Sequence, residues 1–230
     1  MNEKIERDGF AIVAGALDRD GVRAVTESLG AAGDEAGVRR RGGIYAIRNL
    51  LEVVPSVREL AGSSALRALV EPVLGPDCFV VRGILFDKTP DAPWKVAWHQ
   101  DLFITVRERR EVEGFGSWSL KAGTVHVQPP PAILERMLTV RLHLDDTDEL
   151  NGALRVLPGS HLGGKLSAGA VELWRGAHAA VTCDVPGGGA LVMRPLLLHS
   201  SSTPREERHR RVVHLEFAAE RLPGGLDWRG

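Results

Sequence analysis

Apolar and polar positions follow two different spacings along the chain. In the first part, apolar residues recur every three or four positions, as on one face of a helix. Asp18 is the predicted N-cap of one such helix, and another begins at Ser63 or Ser64. Phe10–Val13 is a short apolar run typical of a strand. We therefore predict that residues 1–77 form a helical support region with one short strand.

From Cys78 onward, short β-type runs separated by glycine- and proline-rich turns replace the helical spacing. Many short strands of this kind predict a sandwich or barrel, with the helices packed on one side. Two segments lack periodicity: a glycine- and arginine-rich segment, Gly30–Gly43, predicted as a mobile surface loop, and residues 102–131, predicted as a lid-like insertion. The expected organisation is one domain, 1–230, with a mainly β core over 78–230. The predicted strands are Phe79–Phe86, Leu138–Leu144, Ala153–Leu157, Ala179–Val185, Ala190–Met193 and Arg210–Phe217.

Composition and charge exclude several kinds of partner. Lys and Arg total 29 against 30 Asp and Glu, so a net charge of −1 gives no reason to expect nucleic acid or an anionic membrane. Two cysteines without a CxxC motif predict neither a disulfide framework nor a cysteine-based zinc site. The polar start and the lack of a long apolar run indicate a soluble, cytoplasmic protein. A small-molecule substrate is the expected partner.

The placement of the histidines carries the candidate chemistry. His99 and Asp101 lie two positions apart in an extended segment, so both side chains point to the same side. His199 follows an apolar run at a strand end. Two imidazoles and one carboxylate form the facial triad of non-haem Fe(II) oxygenases. A second pair, His143 and Asp145, has the same spacing, and periodicity does not choose between the two pairs.

Motifs in a fixed order carry a family resemblance. They are Asp8-Gly9-Phe10, Trp98-His99-Gln100-Asp101, the stretch Asn151–His161 with the pattern NGxLxxxPGSH, His199, and the region of Arg210. With these motifs the chain resembles, over most of its length, the phytanoyl-CoA dioxygenase family of Fe(II)/2-oxoglutarate-dependent oxygenases. In that family the metal-binding HxD motif precedes the NGxLxxxPGSH stretch by several tens of residues. The resemblance therefore selects His99 and Asp101, because His143 and Asp145 adjoin that stretch.

The resemblance implies a double-stranded β-helix (a jelly-roll, cupin-like core) with the N-terminal helices packed on the major sheet. It implies that His99, Asp101 and His199 bind a catalytic Fe(II), with 2-oxoglutarate and O₂ as co-substrates and ascorbate as a stimulant. It also places an arginine about eleven residues after the last histidine, which is Arg210. A guanidinium suits the distal carboxylate of 2-oxoglutarate because its planar fork forms two charge-assisted hydrogen bonds. The implied reaction is hydroxylation of a small molecule, with succinate as co-product.

Strand alternation supports Arg210 independently. In Arg210–Phe217, one set of alternate residues is apolar and should pack on the helices, which turns Arg210 into the barrel and leaves Arg211 near the surface. The same alternation turns Arg141 and His143 inward. Both are candidates for binding a polar substrate or the co-substrate, and a purely structural salt bridge is the alternative.

Two further residues are candidate substrate contacts. His126 lies in the predicted lid, and Trp98 belongs to an aromatic group around the HxD motif that could exclude water from the metal. A different class, a non-catalytic cupin-like metal- or small-molecule-binding protein, could use the same three ligands. Arg210 argues against it, since a plain metal site needs no buried arginine. A halogenase of the same fold would lack the carboxylate of Asp101.

Overall fold

The computed structural model describes residues 1–34, 37–41, 43–88, 93–206 and 208–230. Within these ranges, helices α1 to α7 are Asn2–Asp8, Arg19–Gly30, Leu50–Val53, Pro55–Ala61, Ser64–Leu74, Pro131–Glu135 and Ala168–Ala177. Strands β1 to β14 are Phe10–Val13, Val38–Arg41, Gly43–Ile47, Phe79–Lys88, Val96–His99, Ile104–Val106, Gly116–Lys121, Thr124–Gln128, Met137–His143, Leu154–Val156, Val181–Cys183, Ala190–Met193, His199–Ser201 and Arg210–Ala218. The predicted N-caps of α2 and α5 are confirmed, because Asp18 and Ser63 each accept a backbone N–H three residues on.

A seven-stranded sheet in the order β1-β12-β9-β14-β4-β3-β2 forms the larger layer. Its outer face is covered by the N-terminal helices, and the contact is built from the alternate apolar residues of the central strands. On β9 and β14 those residues include Leu138, Val140, Leu142, Val213 and Leu215, all fully buried. The predicted fold class, a double-stranded β-helix with helices on its major sheet, is confirmed.

A four-stranded sheet, β11-β10-β13-β5, faces the inner side of the larger sheet. On one side of the space between the sheets, apolar side chains pack together in a cluster of their own. They include Leu154 and Val156 from β10 and Leu191 and Met193 from β12. On the other side, between β5 and β13 and the strands β4, β9 and β14, many of the inward residues are polar and leave a cavity.

The two segments without a predicted periodic structure both contain strands. Within the predicted loop Gly30–Gly43, residues Val38–Arg41 form β2, which pairs with β3 at the edge of the larger sheet; positions 35, 36 and 42 lie outside the described residues. The support region therefore contributes three strands as well as helices. Residues 102–131, predicted as a lid-like insertion, hold a three-stranded sheet, β6-β8-β7.

The three-stranded sheet has an apolar cluster of its own. Ile104, Val106 and Val127 are fully buried there, against Leu226 and Trp228 of the C-terminal segment. None of the residues 102–131 lines the cavity between the two main sheets. The weak periodicity of this segment arises because its strands are short and joined by positive-φ residues, including Ala122 and Gly123. In the described part of the chain, no helix has the length and apolar character needed to cross a membrane.

Candidate active site

A bulge in β5 orients the first candidate ligand. Strand β5 pairs with β13 so that His99 lies opposite His199 and Val96 lies opposite Ser201. Three steps along β5 thus match two along β13, which means that β5 carries one extra residue, a β-bulge. As a result, both Val96 and His99 line the cavity.

Gln100 fixes the short segment that joins His99 to Asp101. Its amide nitrogen donates to the carbonyl oxygens of Gly164 at 2.7 Å and Leu196 at 2.6 Å. Its amide oxygen accepts from the backbone N–H of Leu166 at 2.8 Å. A buried amide with three hydrogen bonds holds the backbone between the two ligands in one conformation.

His99, Asp101 and His199 come together at the cavity wall. His99 Nε2 lies 3.6 Å from Asp101 Oδ1, and His199 Nε2 lies 3.7 Å from Asp101 Oδ2. The candidate ligand atoms of the three residues all lie within 4.8 Å of one another. These separations exceed hydrogen-bonding distance but suit three atoms that surround one ion at about 2.0–2.2 Å. Asp101 Oδ2 is buried and has no hydrogen-bond partner among the described residues.

The two imidazoles have a defined tautomer. His99 Nδ1 lies 2.8 Å from the carbonyl oxygen of Ala97, and His199 Nδ1 lies 2.9 Å from that of Leu197. A carbonyl oxygen only accepts, so Nδ1 carries the proton in each ring. Each Nε2 therefore keeps a lone pair directed toward Asp101, the arrangement that metal-bound histidines require.

The protonation states also suit a divalent cation. Burial works to raise the pKa of Asp101, but the positive charge that His199, His214 and His99 carry when protonated, together with that of Arg141, outweighs it and brings the pKa to about 2. Burial lowers the pKa of His199 to about 4, although Asp101 acts in the opposite direction. At neutral pH the site thus offers a charged carboxylate and a neutral imidazole, as a metal ligand set needs.

The cavity next to this group has a volume of about 270 Å³. It combines an apolar wall with several buried charged groups. Its lining includes the apolar residues Ile84, Phe86, Trp94, Val96 and Leu154, and the polar residues Arg82, Arg141, Ser201, Arg210, His214 and Glu216.

Arg210 and Lys88 stand opposite each other at one end of the inner face of the larger sheet. Arg210 is buried, and its guanidinium donates to the carbonyl oxygen of Gly152. Lys88 is fully buried and donates to Ser201 Oγ at 3.0 Å and to the Ser202 carbonyl at 2.6 Å. A Cβ at Gly152 would lie 2.7 Å from the Ser202 carbonyl oxygen and 3.2 Å from Lys88 Nζ. The glycine of the NGxLxxxPGSH stretch therefore leaves room for the ammonium group of Lys88.

Three buried cations, Lys88, Arg141 and Arg210, lie on the inner face of the larger sheet at this end. Burial, together with the charges of Arg210 and Arg141, lowers the pKa of Lys88 to about 7. Burial and the charge of Arg141 likewise lower the pKa of Arg210, and burial lowers that of Arg141. The main physical cause is the same in each case: the charged group has lost water, and for Lys88 and Arg210 like charges add to the cost. An anionic ligand would relieve that cost.

A chain of polar contacts runs along the inner face beside Arg141. Arg141 Nη1 lies 2.8 Å from His214 Nδ1, and His214 Nε2 lies 3.2 Å from Glu216 Oε1. Arg82 Nη1 donates to the same Glu216 oxygen at 3.0 Å. All four residues line the cavity.

Three of the predicted substrate contacts, His143, His126 and Trp98, do not line this cavity. His143 is buried, with Nδ1 2.7 Å from Thr147 Oγ1. His126 is buried in the three-stranded sheet, with Nδ1 3.0 Å from the Thr124 carbonyl. Trp98, next to the inward His99 on β5, points to the outer side, where the Arg155 guanidinium lies 6.0 Å from its ring centroid.

The second HxD pair is engaged elsewhere. Asp145 accepts from the Arg211 guanidinium through both carboxylate oxygens, at 2.9 and 2.6 Å, and from the Arg211 backbone N–H at 2.8 Å. Arg211 therefore joins the end of β14 to the segment after β9. The inward direction predicted for Arg141 and Arg210 agrees with the structure, since both line the cavity.

Sequence reasoning missed Lys88 and gave no role to His214 and Glu216. All three were detectable by alternation. His214 and Glu216 share the inward face of β14 with Arg210, and Lys88 lies one inward step beyond Phe86 on the neighbouring strand. The predicted strand ends at Phe86, so alternation along it does not extend to Lys88, the residue opposite Arg210.

The fold and the site together define a class. Two opposed antiparallel sheets that enclose a His–Asp–His group are typical of cupin-like proteins with a mononuclear metal centre. The family model described as phytanoyl-CoA dioxygenase (PhyH) matches residues 5–212. The chain belongs to the phytanoyl-CoA dioxygenase family, as its motifs indicate.

Solved structures share the fold. EctD from S. alaskensis, solved with 2-oxoglutarate and 5-hydroxyectoine, aligns with a TM-score of 0.73 at 19% identity, over 95% of this chain and 74% of EctD. AviO1 from Streptomyces viridochromogenes Tue57 aligns with a TM-score of 0.66 at 22% identity, over 96% of this chain and 93% of AviO1. The epimerase SnoN from nogalamycin biosynthesis gives 0.68 at 20% identity, over 97% of this chain and 88% of SnoN. A search of curated protein sequences gave no match.

Proposed function

We propose that the protein is an Fe(II)/2-oxoglutarate-dependent dioxygenase that hydroxylates a small molecule and releases succinate. One observation carries the proposal: His99, Asp101 and His199 share a single cavity with the buried guanidinium of Arg210. Membership of the phytanoyl-CoA dioxygenase family supports it. So does the presence of 2-oxoglutarate in the structure of EctD, and of Fe³⁺ and α-ketoglutarate in that of SnoN.

The three ligand residues fit Fe(II). The Nε2 lone pairs of the two histidines and the unpartnered Oδ2 of Asp101 converge on one point. Two imidazoles and one carboxylate on one side of a metal ion leave its remaining coordination positions open. The chemistry supplied by Fe(II), 2-oxoglutarate and O₂ is oxidation of an unactivated C–H bond to an alcohol, coupled to loss of CO₂ from the 2-oxo acid. The chain supplies the ligands, their orientation and a shielded cavity.

Arg210 binds the distal carboxylate of 2-oxoglutarate in this proposal. Its guanidinium is buried at the end of the cavity and is already oriented by the Gly152 carbonyl. Lys88, opposite it on β4, adds positive charge behind the same end. A preoriented charged donor binds a carboxylate with little further loss of side-chain freedom. This assignment leaves Arg141, on the neighbouring strand β9, available to bind either the co-substrate or the primary substrate.

The apolar lining has a separate role. Ile84, Phe86 and Leu154 line the same cavity as the three ligands. Apolar walls exclude bulk water, which strengthens electrostatic interactions in the cavity and limits side reactions of a strong oxidant.

Two measurements test the proposal. Anaerobic protein with Fe(II) and 2-oxoglutarate should show the weak visible charge-transfer band of a metal-chelated 2-oxo acid. With O₂ and ascorbate it should form succinate slowly even without a primary substrate. A non-catalytic metal-binding protein would take up the metal but show neither the band nor succinate.

The Asp101→Ala variant is the matched control for both signals. It keeps Arg210 but removes the carboxylate ligand, so the band and the succinate should both disappear. Metal-replete wild-type protein that lacks both signals would overturn the proposed function.

A further inference from the structure

Arg141 stands out among the charged groups of the cavity. It is buried, it lines the cavity, and within the described ranges no carboxylate oxygen lies within 4.0 Å of its guanidinium. Its Nε is buried without a hydrogen-bond partner there. A buried guanidinium with an unused donor is costly unless a ligand satisfies it.

The neighbours of Arg141 do not supply the missing negative charge. Arg141 can only donate, so His214 Nδ1 must accept and its proton must lie on Nε2, which donates to Glu216. His214 therefore contributes no negative charge. Glu216 is anionic but forms its ion pair with Arg82, at 3.0 Å. The hydrogen bond to His214 therefore orients Arg141 but does not balance its positive charge.

The charges of the proposed metal and co-substrate leave Arg141 unmatched as well. The two charges of Fe(II) are balanced by Asp101 and by the metal-bound carboxylate of 2-oxoglutarate. The distal carboxylate balances Arg210. Both carboxylates of the co-substrate are then used and Arg82 is paired with Glu216, so among the described arginines that line the cavity Arg141 remains without a counter-charge.

We propose that the primary substrate carries an anionic oxygen-acid group, a carboxylate or a phosphate, and that Arg141 binds it. This inference rests on the proposed dioxygenase function and specifies its substrate class. The planar fork of arginine matches either group through two hydrogen bonds, and the unpartnered Nε supplies one of the donors. The aromatic and aliphatic lining, which includes Phe86, Trp94 and Ile84, is available to the carbon part of the substrate.

The test uses matched probes on protein loaded with Fe(II) and 2-oxoglutarate under anaerobic conditions. The probes are straight-chain carboxylates from butanoate to octanoate, the alkyl phosphates of the same lengths, and the corresponding primary amides. Binding is followed through the visible band, which changes when a molecule occupies the space beside the metal. We expect the acids to bind at least about ten-fold more tightly than the amides, because an acid group accepts two charge-assisted hydrogen bonds from the guanidinium whereas an amide offers one neutral oxygen. The carboxylate and phosphate arms show which acid group is preferred.

Variants assign the preference to Arg141. Arg141→Gln should abolish the difference between acid and amide, and Arg141→Lys should retain part of it because the charge remains. The control is Arg155→Gln, which removes an exposed arginine from the outer side of the same barrel and should leave the preference unchanged. A thermal melt confirms that each variant is folded, and the lysine variant provides the readout where the glutamine variant does not fold.

The outcomes separate this inference from the proposed function. Equal affinity for acids and amides, including binding of neither, would overturn the anionic substrate while the visible band and succinate formation still support the dioxygenase. A ten-fold or greater loss of 2-oxoglutarate affinity in Arg141→Gln, with the acid preference intact, would assign Arg141 to the co-substrate instead. Absence of the band in metal-replete wild-type protein would mark failure of the function itself.

Discussion

The two faces of strands β9 and β14 differ in almost every chemical respect. On the outer face, Val140, Leu142 and Val213 are fully buried against the helical layer. On the inner face of the same strands, Arg141 and Arg210 are buried beside a cavity. Neighbouring residues of one strand thus lie in two different environments. Burial of the apolar outer face stabilises the folded state. The buried charges of the inner face destabilise it, and their proposed role is to bind a ligand.

The largest effect should come from the metal ligands. His99→Ala, Asp101→Ala or His199→Ala each removes one of three proposed protein bonds to Fe(II), so metal affinity should fall by orders of magnitude. The fold should survive, because none of the three belongs to the apolar clusters. Metal content after anaerobic dialysis, measured together with a thermal melt, checks both parts.

His143→Ala is the matched control, since His143 is an inward histidine that does not line the cavity. It should keep its iron, while the lost contact with Thr147 costs about 1–3 kcal/mol of stability. A folded, iron-free His143→Ala together with an iron-containing His99→Ala would show that the wrong site was chosen.

Leu142→Ala tests the outer face next to Arg141. Leu142 is fully buried in the helix–sheet cluster, so the truncation should lower the free energy of unfolding by about 2–5 kcal/mol. Affinities for Fe(II) and 2-oxoglutarate should stay unchanged on folded protein. Denaturant unfolding and titration of the visible band measure the two quantities. A large loss of co-substrate affinity would mean that the two faces are not independent.

Arg210→Ala and Arg211→Ala compare adjacent arginines on opposite faces. Arg210→Ala should weaken 2-oxoglutarate binding by about 1.5–3 kcal/mol, because the distal carboxylate loses a charged partner, and Fe(II) affinity should change little. Arg211→Ala breaks the contact with Asp145 and should affect only stability. Equilibrium titration of the visible band distinguishes them, and the reverse pattern would place the strand alternation one residue out of register.

The smallest effect is expected far from the cavity. Asp18 caps α2 by accepting the Gly21 N–H at 2.8 Å, so Asp18→Ala should cost about 1 kcal/mol of stability. Turnover of 2-oxoglutarate should be unaffected on folded protein. A thermal melt beside a succinate assay provides the check, and lost turnover would connect the helical layer to the site.

Alternation along single strands made much of this arrangement predictable from sequence. A period of two assigns Arg210 and Arg211, or Arg141 and Leu142, to opposite faces without any knowledge of the partner strands. The family motifs added the choice of His99 over His143. Alternation also places Trp98, the neighbour of His99, on the outer side, but the inward turn of Val96 was not predictable, since it depends on one extra residue in β5 relative to β13, a property of the pairing and not of either strand.

The strands that the sequence did not predict have a related cause. Val38–Arg41 is three-quarters arginine and its exposed strand lies at a sheet edge, where no apolar alternation is needed. The strands within 102–131 are short and bury residues such as Thr105 and Thr124, so they carry little hydrophobic signal. His126 and its neighbours are held by tertiary contacts that a local pattern does not encode.

The position of β14 in the sheet has a consequence for how the protein folds. In the sheet, β14 lies between β9 and β4, but in the chain it comes after both. Strands β5 to β13 separate β4 from its sheet neighbour β14 along the chain. During synthesis, one backbone edge of β4 and one of β9 therefore lack their partner until β14 is made. Such non-local pairing slows folding and leaves strand edges open to other chains in the meantime. Refolding from denaturant should accordingly be slow and depend on protein concentration, with the iron site among the last features to form.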